Sequence, residues 1–413
     1  MRTYSILPLA LGLLSEATSI QTPSAVKPIQ INLSSHVPHM LDLIKRTNFP
    51  PTEAPAQKDS HNTTISTGLP LSTLKDLTHE WITSFSWEKE QESINKYHHF
   101  TTNIEGQDIH FIHEKSKDPN AIPLILLHGW PGSVLEMIHL VDPLTGKNGT
   151  KGTSFNVVIP SLPGFGLSSV APDKWDNSDT ARIFNTLMTE TLGYDKYAVH
   201  GTDWGCAVGY YMYEGYNTSA RAAHFNFLPF FPPNPEQLTA ENITLSGPEI
   251  DQEQRGLDFF TGGFAYFQEH VTKPNTIGLA LYDSPVGQLT WIGEKIILWS
   301  DPRQGTGPSL ITHNEILRHV SFYYLTQTFA SSVYIYNQNP NGFRTTFTKA
   351  PTDAPLLYSS FNYNNGFWPK ELVAKVGNLV YYKFQEFGGH FPALDNPPAL
   401  AEDISKIGDY WKY

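Results

Sequence analysis

The residue best equipped for chemistry in this chain is Asp203, in "HGTDWG" (residues 200–205), directly after the apolar run "KYAVH". A residue with glycines two positions to either side, between a short strand and a helix, is held on a sharp turn with its side chain presented beyond the strand. A serine on such a turn suits attack on a carbonyl carbon, because water can cleave the resulting ester. On a saturated carbon the same serine would leave an ether with no carbonyl for water to enter. A carboxylate attacking saturated carbon instead forms an ester through its own carboxyl, which histidine-activated water can open. Aspartate on this turn therefore points to an electrophilic sp³ carbon, as in an epoxide or an alkyl halide. The plainer role for Asp203 is to cap the helix that follows.

Three further stretches converge on the same place. "LLHGWPGS" (126–133) follows an apolar strand, and its backbone N–H groups could hold a developing oxyanion. "SLPGFGLS" (161–168) leaves the next strand at the same edge. "EFGGHFPALDNP" (386–397) places His390 in a glycine-rich loop late in the chain, so the nucleophile candidate precedes the histidine.

Positioning these groups requires a sheet. Short apolar runs at 122–128, 155–161, 196–200 and 223–229 suit strands buried on both faces of a parallel sheet, and two more candidates lie at 354–361 and 378–384. Ahead of them, residues 47–70 are rich in Pro, Ser, Thr and Asn and predict an irregular exposed stretch. A helical patch follows, with Leu74, Leu77, Trp81 and Phe85 on one face, and "IEGQDIHFIHEK" predicts a strand leaving a glycine turn. Between 231 and 344 the alternation stops and Pro-rich turns separate long aromatic segments, which predicts a mainly helical insertion.

Composition narrows the function classes. A net charge of −12, from 28 basic and 40 acidic residues, gives no footprint for nucleic acid. The 16 histidines show no zinc-site spacing, and a single cysteine, Cys206, excludes an internal disulfide. At the N-terminus, Arg2, the apolar core Ile6–Leu14 and small residues at Ala17 and Ser19 have the layout of a signal peptide. Sequons at Asn32, Asn62, Asn148, Asn217 and Asn242 fit a glycoprotein secreted or held in the endoplasmic reticulum lumen, with an N-terminal anchor as the variant.

Taken together, "HGWPGS", "SLPGFGLS", "GTDWG", "TKPNTIGLALYDSPVGQLTWIGEK" (272–295) and "GGHFPALDNP" resemble epoxide hydrolases of the microsomal type. The N-terminal "EWITSFSWEKEQESINKYHHFTTNIEGQDIHFIHE" is similar to that family's own N-terminal region. The resemblance runs from about residue 28 to the end. It implies an α/β fold, an α/β-hydrolase core with a mainly helical lid and an N-terminal extension packed on the core. The expected division is a signal peptide over 1–19, the N-terminal region over 20–115, core over 116–230, lid over 231–344 and core again over 345–413. The implied reaction takes a small apolar epoxide and water to a vicinal diol with no cofactor and no metal, as in detoxification or aromatic hydrocarbon catabolism. A homodimer stays open.

Residue by residue, the resemblance implies Asp203 as nucleophile, His390 as the base that activates water, and the backbone N–H groups of Trp130 and Trp204 as oxyanion hole. It also implies two lid tyrosines as donors to the epoxide oxygen, Tyr266 and Tyr336, with Tyr334 the rival for the second. One position departs from the pattern. The acid that orients the histidine falls at Asn364, twenty-six residues before His390, in "FNYNNGF", which contains no carboxylate. An amide oxygen can fix the imidazole tautomer but does not stabilise the imidazolium; in a serine-protease triad the like change costs about 10⁴ in rate. Asp353 is the nearest acid that could substitute, and a turnover-impaired epoxide-binding protein is the alternative. A haloalkane dehalogenase, with Trp204 and Trp291 as halide donors, is the enzymatic rival.

Overall fold

The computed structural model describes residues 25–55, 57–58, 64–147 and 152–412. The expected signal peptide and the sequons at Asn62 and Asn148 lie outside them. Of the other sequons, Asn32 and Asn242 are exposed and Asn217 is half-buried. No helix among the described residues is long and apolar enough to cross a membrane.

Nine strands form one sheet, in the order Lys27–Ile29, His99–Ile104, Gln107–Glu114, Phe155–Pro160, Ile122–Leu127, Tyr197–Gly201, Ala220–Phe225, Pro355–Tyr363, Asn378–Gly389. The last six are parallel and the first three pair antiparallel. The strand Ile122–Leu127 lies between Phe155–Pro160 and Tyr197–Gly201, so successive crossovers diverge around it. A crevice opens at the carboxyl ends of strands where the order reverses in this way, and open α/β sheets bind ligands there. The loops 128–133 and 161–168 and the turn at Asp203 all leave the sheet at this edge. The fold is the α/β-hydrolase arrangement.

The antiparallel extension is built by the N-terminal region. His99–Ile104 and Gln107–Glu114 join through Glu105 and Gly106, whose φ values of 53° and 82° suit the two-residue turn that matches strand twist. Two helices, Leu71–Thr83 and Trp87–Ile94, replace the single helical patch. Ser86 ends the break between them by accepting a hydrogen bond from the Lys89 N–H, as an N-cap does. Leu74, Leu77 and Trp81 are buried as the periodicity predicts, each worth roughly 1.5–3 kcal/mol. Phe85 falls in the break and is only half-buried.

Between the strands ending at Phe225 and starting at Pro355 the chain is mainly helical, with Ala265–Thr272, Pro285–Leu298, His313–Leu325 and Tyr334–Gln338 bearing on the crevice. This insertion is pinched at its neck. The Phe231 N–H donates to the Arg344 carbonyl and the Arg344 N–H to the Pro229 carbonyl, both at 2.9 Å. The N-terminal helices brace it from outside: Trp81 Nε1 donates to Ser321 Oγ at 2.9 Å, and Arg318 lies 3.4 Å from Glu90.

Candidate active site

Asp203 stands at φ 48°, ψ −127°, a region that costs a non-glycine residue about 1–3 kcal/mol. Packing around the turn enforces it. A Cβ on Gly205 would overlap the carbonyls of Leu127 and His128, and one on Gly201 would overlap the Gly205 carbonyl. The glycines therefore let the turn press against the neighbouring strand. Asp203 does occupy the N-cap position of Trp204–Gly215, but its side chain caps nothing. It turns away from the helix instead. Trp130 N–H donates to Asp203 Oδ1 at 2.8 Å, and a Cβ on Gly129 would fill the space of that carboxylate. Trp204 opens the helix, so its N–H belongs to the first turn and has no intrahelical acceptor.

His390 Nε2 lies 3.3 Å from Asp203 Oδ2, outside hydrogen-bonding alignment, which leaves its lone pair free. Its other nitrogen, Nδ1, is 3.0 Å from Asn364 Oδ1. The loop that carries it is clamped at three successive residues. Gly388 N–H donates to Asp301, Gly389 N–H to Asp395, and His390 N–H to the Trp299 carbonyl. Asp353, the substitute considered for the missing acid, is exposed and pairs with Arg221 instead. Asn364 is the residue that meets the imidazole.

Tyr266 and Tyr336 face the same point from the helical insertion. Their rings are 6.0 Å apart, each packs on Trp130, and Tyr336 also packs edge-on against Trp204 at 4.9 Å. Among the described residues the Tyr336 hydroxyl is buried with no well-aligned hydrogen-bond partner, the Tyr266 hydroxyl and the Trp204 indole lying beside it, whereas Tyr334 is only half-buried. Burial, and then the Asp203 charge among other neighbours, pushes both phenols well above the usual tyrosine range, so both are neutral donors. Trp291, the halide-donor candidate, donates its indole N–H to His270 at 3.0 Å.

Above Asp203 and the two tyrosines is a narrow cavity of about 30 Å³ walled by Phe227, Phe231, Phe259, Phe260, Phe264, Phe267 and Phe343. Phe259 and Phe260 share a π-turn, Phe259–Gly263, and Phe264 follows it directly. Asn365 and Asp203 are its polar side chains besides the tyrosine hydroxyls and the Trp204 indole. A wider, polar surface groove at Lys196, Arg221 and Lys349 opens at the opposite edge of the sheet, away from this chemistry. Among the described residues no group of three or more His, Cys, Asp or Glu could hold a metal ion.

Two members of this arrangement escape a reading of the sequence. Asn226 holds Asn364 through its main-chain carbonyl at 2.8 Å, a role no side-chain pattern announces. Glu136 lies buried behind the 128–133 loop; an acidic residue among Val134, Leu135, Met137 and Ile138 in "SVLEMIHL" was the available signal.

Sheet order and elbow thus define an α/β-hydrolase with aspartate where serine is usual. Known proteins narrow the class. The family model described as "Epoxide hydrolase N terminus" matches residues 26–137, and that described as "alpha/beta hydrolase fold" matches 122–245. The chain is 30% identical to epoxide hydrolase 1 of Oryctolagus cuniculus, over 93% of its own length and 88% of the relative's. It is 31% identical to juvenile hormone epoxide hydrolase 2 of Ctenocephalides felis, over 82% and 77%. An enantioselective mutant of the Aspergillus niger epoxide hydrolase superposes with a TM-score of 0.82 at 31% identity, covering 94% of this chain and 97% of that one. The chain belongs to the epoxide hydrolase family, of the microsomal type.

Proposed function

We propose that this protein opens an apolar epoxide to a vicinal diol through a covalent ester on Asp203. The observation that carries the reading is the division of labour at one carboxylate, with Oδ1 held by the Trp130 N–H and Oδ2 turned toward His390 Nε2. Asp203 Oδ2 attacks an oxirane carbon, the C–O bond breaks, and the new alkoxide takes a proton from Tyr266 or Tyr336. Alkylation removes the Asp203 charge that helps hold both phenols up, so they become better acids as the alkoxide forms. Water then gives a proton to His390 and attacks the ester carbon, with the oxyanion on the Trp130 and Trp204 N–H groups. Collapse expels the diol oxygen, which takes the proton from His390. The carboxylic proton left on Asp203 returns to the phenolate.

The aromatic wall of the cavity supports an apolar, ring-bearing epoxide. The dehalogenase reading loses ground because Trp291 spends its N–H on His270. Impaired turnover keeps one specific support, the amide rather than carboxylate on His390 Nδ1. The secretory reading rests on the first 19 residues and the sequons, of which Asn32 and Asn242 are exposed.

The test is a single turnover in ¹⁸O-water with excess enzyme. The label should enter the Asp203 peptide and not the diol. Label in the diol at the first turnover would mean that water attacks the epoxide directly.

A further inference from the structure

Glu136 belongs to the short helix Val134–Met137, directly behind the loop that supplies the Trp130 N–H. It is 1% exposed, and neither carboxyl oxygen has a hydrogen-bond partner among the described residues. A buried polar group left without a partner costs about 1–3 kcal/mol, so native proteins give such groups water or a reacting partner. A Cβ on Gly132 would overlap Glu136 Oε2, as one on Gly129 would overlap the Asp203 carboxylate. The short loop from Gly129 to Gly132 therefore has one carboxyl against each of its glycines. Tyr323 fixes it from the insertion by donating to the Gly132 carbonyl at 2.7 Å.

The other neighbours are acidic as well. The helix Pro392–Asp395 packs on Val134–Met137, and Asp395 Oδ1 is buried without a partner among the described residues while its Oδ2 accepts from the Gly389 and Asp301 N–H groups. Burial, then Asp203, then Asp395, holds the Glu136 carboxyl well above the usual carboxylate range. Held in its protonated form, the group offers one acceptor oxygen and one O–H donor.

We infer that Glu136 is a positioning residue for the second half of the reaction, holding the water that His390 activates against the carboxyl carbon of the Asp203 ester. The inference rests on the covalent-ester reading above. A water placed there directs one O–H to His390 Nε2, whose lone pair is unused, and the other to the Glu136 carbonyl oxygen. Its lone pair then faces the ester carbon. A neutral acid does this without opposing the negative charge that builds on the ester oxygen, as a carboxylate would. The epoxide-opening step has no use for Glu136.

Rapid-quench single turnovers with styrene oxide as probe separate the two steps in Glu136→Gln and Glu136→Leu. The Asp203 adduct should form at the parent rate in both. Its hydrolysis should slow on the order of 10–100-fold in Glu136→Leu, where the water loses its second anchor. Glu136→Gln, which keeps an acceptor and a donor, should stay within about threefold of the parent. Parent-like ester hydrolysis in Glu136→Leu, or an equal fall in both steps, would overturn the inference. If Glu136→Leu does not fold, infrared difference spectra on alkylation decide. The parent should show the carbonyl band of a protonated carboxyl that Glu136→Gln lacks, and a parent without that band refutes the assignment. No adduct in the parent would remove the ester reading itself, an outcome distinct from an adduct that hydrolyses normally.

Discussion

Asn364 Nδ2 donates to the main-chain carbonyl of Asn226 at 2.8 Å, and that bond decides which end of the amide meets His390. With its nitrogen committed, Asn364 offers only its oxygen to Nδ1, at 3.0 Å. The imidazole proton is thereby fixed on Nδ1 and the basic lone pair on Nε2, facing Asp203. The amide performs the tautomer-selecting part of the work of a triad acid. It lacks the charge that would steady an imidazolium.

Replacing Asn364 by Asp should therefore move two observables in opposite directions. Ester hydrolysis should accelerate about tenfold, because the imidazolium gains a counter-charge. Stability should fall by about 1–3 kcal/mol, because the Asn226 carbonyl loses its donor and faces a carboxylate oxygen. Single-turnover kinetics and urea unfolding on the same preparation measure the pair. Faster hydrolysis without a stability loss would mean that the Asn226 contact is not what orients the amide.

His390→Gln should leave epoxide opening intact and halt the cycle at the ester. Intact-protein mass spectrometry after substrate addition should show a near-stoichiometric adduct that persists, with turnover reduced by a factor on the order of 10²–10⁴. An unmodified protein would remove His390 from the second step.

Tyr266→Phe and Tyr336→Phe each delete one donor at the opening oxirane while preserving the ring that packs on Trp130. Alkylation should slow on the order of 10–10³-fold in each, and nearly cease in the double variant, with melting temperature little changed. Ester hydrolysis, measured after alkylation is complete, should lag far less. If Tyr334→Phe rather than Tyr336→Phe carries the loss, the second donor lies elsewhere on the helix Tyr334–Gln338.

Asp395 predicts a pH dependence of stability. Burial pushes its carboxyl up to about 7, against the N–H donors of Asp301 and Gly389. In the unfolded chain the same group deprotonates near pH 4. Between those values the native state binds the extra proton, so stability should fall as pH rises through the window and level off above it. The contribution is on the order of 4 kcal/mol, with Glu136 adding in the same direction. Asp395→Asn keeps an oxygen for both N–H donors and should flatten the slope. Unfolding free energies from pH 4.5 to 8 that keep the parent slope would place the proton on another group.

Much of this site was readable from glycines and histidine in loops, because their spacing encodes backbone close approach. The strands at 122–127 and 155–160 were equally plain, as continuous apolar runs buried on both faces. Ala220–Phe225 was displaced from the expected 223–229 because its alanines carry little hydrophobic signal, whereas "NFLP" just after it is apolar but leaves the sheet. His99–Ile104 was hidden by polar residues on a strand of the antiparallel extension. Lys27–Ile29 was hidden by Pro28, which an edge strand tolerates and a central one does not. Asn226 acts through its carbonyl, and Glu136 through its lack of partners. Both are facts of three-dimensional neighbourhood that no residue spacing records.

The phenylalanine wall has a consequence for what leaves as well as for what enters. An oxirane carries one weak acceptor, which two phenols can satisfy, so it partitions readily from water into such a chamber. The diol carries two hydroxyls, and apart from those same phenols Asn365 and the Trp204 indole are what the cavity wall offers besides the regenerated Asp203 carboxylate. A hydroxyl left dry against aromatic carbon costs about 1–3 kcal/mol. The chamber therefore retains the reactant and sheds the product.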